Sequence, residues 1–208
     1  MKEMYLRALE IAIMAHGKTR GKDGHLYVMH PIRVADMLTD PKEKIVGLLH
    51  DVVEDTNWTL DRLANEGFPK DIIDAVDAIT YRKGEPRKDY LDRIKANPLA
   101  KNVKLADLSH NSDIFRLSII TQTDVDRTER YQHEIAYLRN ITEHKFENGL
   151  YWWRYGDFEI HQSAPNNPDG THGPAMSYIV TDNKKMLKNV LAIKRTLDDA
   201  LRFIEQNT

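Results

Sequence analysis

Cysteine is absent from this chain of 208 residues. That absence excludes disulfides, thiolate metal sites and cysteine nucleophiles, and it suits a reducing compartment, so the cytoplasm is the expected location. Charge of one sign is lacking too: 30 Lys and Arg stand against 32 Asp and Glu, a net of −2. No global basic field points to nucleic acid or to an anionic membrane surface, and neither is an expected partner. No apolar run approaches the length needed to span a bilayer. Lys2, Glu3, Arg7 and Glu10 interrupt the N-terminal apolar residues, so a signal peptide is not expected. Internal repeats and low-complexity tracts are missing. What remains is a 41% hydrophobic content, enough for one real core, or for one domain with a small appendage.

The apolar residues recur mostly at helical spacing. Leu6, Leu9 and Ile13 mark a helix over residues 3–16, ending near Gly17. Pro31 fits the first turn of a second helix, reaching about Asp40. A third is expected from Pro41 to Val53, a short one from Thr59 to Gly67, and another from Pro69 to Thr80. Asp89–Lys95 reads as helix, and Asn97 with Pro98 opens the next one. A long helix begins near Asp124 and carries Ile135, Leu138 and Ile141. After His144 the style changes. Phe158 and Ile160 alternate with charged residues, and Met176, Tyr178 and Val180 suggest a second strand. Residues 163–174 are loop-like, and a final helix is expected from Asn183 to Glu205. Residues 1–144 therefore read as a helical domain. Residues 145–208 read as a small β-hairpin-plus-helix module for packing or homo-oligomerisation.

The chain is organised around His50-Asp51-Val52-Val53-Glu54-Asp55-Thr56. An apolar run (Ile45, Val46, Leu48, Leu49) leads straight into four ionisable side chains, and charge on a buried segment is costly unless paired or bound to metal. On one helix, His50 and Glu54 would share a face, as would Asp51 and Asp55. A second cluster, Asp107, His110 and Asn111, also falls on one helical face. His30, His50, Asp51 and Asp107 make a nitrogen and oxygen ligand set without sulfur, suited to Mn²⁺, Fe²⁺ or Zn²⁺ with positions left for water and substrate. Such a centre generates a nucleophile near neutral pH, and Glu54 and Asp55 could handle protons beside it. The basic loop holding Arg20 and Lys22 could meet an anion, although most such loops are solvated turns. Arg127 and Tyr131 are neighbours one turn apart, a pairing common on helix surfaces. His133, His144, His161 and His172 show no ligand spacing.

The series Ala15-His16-Gly17, Tyr27-Val28-Met29-His30-Pro31, Leu48 to Thr56 and Val103-Lys104-Leu105-Ala106-Asp107 with His110-Asn111 resembles the HD-domain hydrolases of the RelA/SpoT family. In size the chain is most similar to the small alarmone hydrolases, the form that includes metazoan SpoT homologues. The match covers about residues 4–142, in order and spacing. The resemblance implies a mainly α HD-domain bundle, with Mn²⁺ held by His30, His50, Asp51 and Asp107. Glu54 and Asp55 correspond to the acidic pair that activates or positions water. Asn111, and the pair Arg127 and Tyr131, match nucleotide-binding positions, and Arg20 and Lys22 fall in the loop that meets the nucleotide. His16 and His110 match positions that we read as structural or orienting groups.

The implied reaction removes the 3′-pyrophosphate of ppGpp or pppGpp, and no synthetase domain is discernible. The motifs describe phosphate-cleaving machinery rather than a base pocket, so ppApp, NADPH or a nucleoside phosphate are alternative substrates. A binding protein on an HD scaffold is the alternative of another class. One departure stands out: the family's motif often reads Asp-Arg-x-His-Asn, whereas Leu108 follows Asp107 here. That leaves the metal shell without an expected basic partner.

Overall fold

The computed structural model describes residues 1–145, 150–164, 177–182 and 190–207. The chain forms two compact units, one of Met1–His110 with Arg116–Ser118, the other of Asn111–Phe115 with Ile119–Thr208. Among the described residues, no helix is long and apolar enough to cross a membrane.

The first unit is built from helices α1 (Lys2–His16), α2 (Met29–Asp36), α3 (Pro41–Leu49), α4 (Val52–Asp55), α5 (Leu60–Asn65), α6 (Lys70–Ile79), α7 (Arg87–Ala96) and α8 (Pro98–Ser112), the last belonging to it as far as His110. Local chemistry sets their ends. The Asp40 carboxylate accepts from the Lys42 and Glu43 amides, and Pro41 opens α3. Thr59 accepts from the Arg62 amide, and Asn97 caps α8 through the Ala100 amide at 3.1 Å. Gly67 turns the chain after α5 with φ +88°, a conformation that side chains disfavour. Ile11, Ile45, Leu48, Leu49, Leu63, Ile72 and Ile94 are fully buried, each stabilising the fold by roughly 1.5–3 kcal/mol over exposure. Gly47 allows α3 to lie close on α2: a Cβ there would stand 3.3 Å from the backbone of Ala35.

The expected continuous helix from Pro41 to Val53 breaks after Leu49. The His50 ring donates from Nδ1 to the Gly47 carbonyl at 2.8 Å, the acceptor that a further turn would offer to the Asp51 amide. Asp51 sits at φ −97° and ψ −8°, and a separate turn, α4, follows. His50 and Asp51 therefore lie in a junction, not on the face of one helix.

The second unit contains α9 (Gln122–Arg139), an antiparallel sheet and α10 (Leu197–Gln206). Strands β1 (Thr142–Lys145), β2 (Tyr151–Tyr155), β3 (Phe158–Ser163), β4 (Ser177–Asp182) and β5 (Val190–Lys194) pair in sequence order. Trp153, Ile160, Tyr178 and Val180 form its buried face, with Trp153 opposite Ile160 and Ile160 opposite Val180. Helix α10 lies against β3, β4 and β5, and α9 lies against β1 and α10. Asp198, fully buried, is held by Arg139 at 2.6 Å and by Arg202 at 2.7 Å. His144 stacks on Trp152 with centroids 4.1 Å apart, and His133 pairs with Glu143 at 2.6 Å.

The mainly α class with a C-terminal appendage is as expected, but the appendage is larger than a hairpin and a helix. Helix α9 groups with the sheet and α10, lying against β1 and α10 with Ile135 and Leu138 buried, whereas the expected break is near residue 145. The expected last helix is two elements. Val190–Lys194 pairs with β4, and a new helix starts at Leu197, capped by Thr196, whose hydroxyl accepts from the Asp199 amide at 3.1 Å. Residues 165–174, Met176, His172 and the expected helix start at 183–189 lie outside the described residues.

Candidate metal centre

Three segments of the first unit deliver the site. His30 stands in the first turn of α2, His50 and Asp51 follow α3, and Asp107 lies on α8. His30 Nε2 is 3.1 Å from Asp107 Oδ1 and 3.6 Å from Asp51 Oδ2. His50 Nε2 is 3.1 Å from Asp51 Oδ2 and 3.8 Å from Asp107 Oδ1. One donor atom each from His30, His50 and Asp107 lies within 4.8 Å of the others. Metal bonds of about 2.0–2.2 Å place neighbouring donors roughly 3–4 Å apart, so the spacing fits a divalent ion. The tautomer fits as well. With Nδ1–H given to Gly47, the neutral His50 ring aims a bare Nε2 at two carboxylates. That buried atom makes no directed hydrogen bond. A lone pair facing carboxylate oxygens is repulsive until a cation, proton or metal, sits between them.

Each group of the set has a further partner that holds it. Tyr27 Oη donates to Asp51 Oδ2 at 2.6 Å, and Lys104 Nζ donates to Asp107 Oδ2 at 2.8 Å. His30 Nδ1 lies 2.8 Å from His110 Nδ1. Sequence reasoning passed over Lys104 and Tyr27 as individuals. A lysine amid Val103, Leu105, Ala106 and Leu108, one turn before Asp107, was the available signal. Leu108 is fully buried in the core, and Lys104 supplies the basic partner that its position does not.

The electrostatics follow from crowding. Burial alone would lower the His50 pKa, but the Asp51 charge and the Asp107 carboxylate facing the ring raise it well above the ordinary histidine range, which favours a proton between Nε2 and the carboxylates when no metal is there. Burial acts to raise both carboxyls. His50 overcomes it at Asp51, and Lys104 with the two histidines overcomes it at Asp107, so both are held below the usual carboxylate range. Burial, with the nearby His30 and Arg116 charges, pushes His110 down to about 4. His16, buried against the Tyr27 ring, is lowered by desolvation.

Glu54 and Asp55 lie on α4, the turn after the junction. Both reach solvent, yet the protein around each carboxyl desolvates it and raises its pKa, with the Asp51 charge adding to the effect. Glu54 Oε2 accepts from the Tyr81 amide at 2.7 Å, a backbone contact that no sequence pattern reveals. Arg93 fixes that segment, donating to the Ala78 and Thr80 carbonyls and to Glu85.

The expected nucleotide contacts fall in both units. Arg20 and Lys22 lie between α1 and α2, and Arg20 Nη1 donates to the Gly24 carbonyl at 2.7 Å. Asn111, Arg127 and Tyr131 belong to the second unit. There Arg127 Nη1 stands 3.7 Å from Asp124 Oδ1, and the Arg130 guanidinium lies 5.5 Å from the Tyr131 ring centroid. The structure thus brings the four-residue set and its holding groups together in the first unit.

No family model matches the chain. It is 36% identical over 119 residues to mouse guanosine-3′,5′-bis(diphosphate) 3′-pyrophosphohydrolase MESH1, covering 51% of this chain and 66% of the mouse protein. It is 33% identical over 142 residues to the Borreliella burgdorferi protein named guanosine-3′,5′-bis(diphosphate) 3′-pyrophosphohydrolase, covering 61% of this chain and 21% of that one. A solved structure, described as a metazoan ortholog of SpoT that hydrolyzes ppGpp, superimposes with a TM-score of 0.55 at 25% identity, over 65% of this chain and 84% of that one. The chain belongs to the RelA/SpoT family. It is also 31% identical to a probable GTP pyrophosphokinase of Mycobacterium leprae. It spans only 16% and 21% of the lengths of the M. leprae and Borreliella proteins. The His and Asp cluster is a site able to hold a divalent ion within this RelA/SpoT-type unit.

Proposed function

We propose that the chain is a (p)ppGpp 3′-pyrophosphohydrolase dependent on a divalent metal, with Mn²⁺ the first choice and Fe²⁺ or Zn²⁺ as alternatives. The observation that carries this reading is the convergence of His30, His50 and Asp107, with a buried Nε2 on His50 that makes no directed bond and two raised carboxyls one turn away. The names of the relatives are consistent with it. In this reading His30, His50, Asp51 and Asp107 hold the ion. When bound, it supplies Lewis acidity that neutralises phosphate charge and activates water.

The remaining chemistry falls to the protein's own groups. The oxygen of water bonds to the phosphorus nearest the ribose, and the bond from that phosphorus to the 3′-oxygen breaks. Glu54 or Asp55 takes the proton of the attacking water, and that carboxyl returns it to the departing 3′-oxygen. A raised carboxyl pKa brings such a group nearer to working pH. The products are intact pyrophosphate and GDP or GTP. Binding roles for Arg20 and Lys22, and separately for Asn111, Arg127 and Tyr131, rest on the family resemblance.

The test offers ppGpp, ppApp, ATP and NADPH with Mn²⁺ and identifies the phosphorus product. Pyrophosphate from ppGpp, with little cleavage of ATP, is expected. Orthophosphate from many nucleotides would point to a general phosphatase. Turnover of ppApp or NADPH in preference to ppGpp would change the substrate and keep the metal site.

A further inference from the structure

His110 is not a member of the ligand set, yet its ring meets a ligand in a way that constrains that ligand's protons. His30 Nδ1 and His110 Nδ1 are 2.8 Å apart, with ring centroids at 4.9 Å. Two N–H groups cannot face each other at that distance, and two bare nitrogens repel, so a single proton lies between the rings. The other nitrogen of His30, Nε2, points to Asp107 Oδ1 at 3.1 Å and Asp51 Oδ2 at 3.6 Å. If the shared proton belonged to His110, a neutral His30 would carry its own proton on Nε2, aimed at the carboxylates, with no lone pair for a metal. If it belongs to His30, Nε2 is bare and ready to coordinate.

We infer that His110 is a positioning residue that selects the metal-binding tautomer of His30 by accepting its Nδ1–H. The inference rests on the proposed metal site and goes beyond it, because it assigns a task to a residue outside the ligand set. It also pairs the two histidine ligands. His50 gives its Nδ1–H to a backbone carbonyl, whereas His30 gives its own to a side chain. One ligand orientation is fixed by the helix itself, and the other depends on position 110. An asparagine at 110 can place its amide oxygen near the site of Nδ1 and accept the same proton, while phenylalanine fills the ring's space and accepts nothing.

The experiment measures Mn²⁺ affinity by calorimetry on the full chain, without nucleotide, for the parent, His110→Phe and His110→Asn. Phe should weaken binding by about 10–100-fold, the usual effect of losing a group that orients a ligand. Asn should restore most of that affinity. Nitrogen chemical shifts of the Zn²⁺-loaded parent should show His30 protonated at Nδ1. Equal affinity in the Phe variant, failure of Asn to restore binding, or a His30 proton on Nε2 would overturn the inference alone. A parent that binds neither ion would overturn the metal site itself.

Discussion

Both units bury charged and polar side chains, but they settle them differently. In the second unit Asp198 is met on both oxygens by Arg139 and Arg202, and Gln162 donates to Gln132. Positive and negative partners come from the chain itself, and nothing further is needed. In the first unit two carboxylates and two imidazoles converge, Lys104 offsets one of the carboxylates, and His50 Nε2 faces the group without a directed bond. A network complete in its own charges is structural. One whose donors converge around a buried nitrogen that makes no directed bond is able to hold a divalent ion, and that distinction separates scaffold from candidate site more sharply than burial does.

The largest expected effect breaks the incomplete network. Asp107→Asn keeps shape but removes a ligand charge, so stoichiometric Mn²⁺ binding and nucleotide hydrolysis should both be lost, as read by metal content and product release. Full activity after exhaustive chelation would remove the contrast between the units. Glu54→Gln sharpens it: metal should remain bound while turnover falls by about 10²–10⁴-fold, the span of general acid–base catalysis. Loss of metal in that variant would make Glu54 a ligand.

Trp153→Ala addresses the other unit. The indole is fully buried, and its removal should cost about 3–5 kcal/mol in a denaturation experiment, with Mn²⁺ affinity unchanged. A parallel loss of affinity would show that the two networks are not independent.

The smallest effect is a pH dependence. The hydrogen bond to Glu143 raises the His133 pKa. The pair's contribution is therefore full below the unfolded histidine value of about 6.5 and is lost as pH rises through the higher folded value. Because the imidazole is 39% exposed, solvent screens the pair, and the gain is of the order of 0.2–1 kcal/mol. The melting temperature of the parent should fall slightly more than that of His133→Gln between pH 6 and pH 8.5.

Much of the first unit was legible because its elements obey local rules. Asp40, Thr59 and Asn97 cap helices as their side chains dictate, and His50 and Asp51 stand out as ionisable groups following an apolar run. The junction at His50 was not legible, since it depends on where one ring nitrogen finds an acceptor. The Tyr81 amide on Glu54 was equally hidden, because a backbone donor carries no residue signature. In the second unit, Val190–Lys194 reads as part of an apolar helical stripe. Pairing with β4, a contact made far along the chain, turns it into a strand.

Gly47 has a consequence for tolerance. Its missing side chain lets α3 rest on Ala35 of α2, and those two helices carry His50 and His30 at their ends. A single methyl at position 47 would act as a shim between the helices that aim the two imidazoles. A few tenths of an ångström of displacement there becomes a mismatch in ligand spacing at an ion with bonds of about 2 Å. At the proposed metal site, selectivity among ions of different radius would thus be adjustable from a residue outside the ligand set.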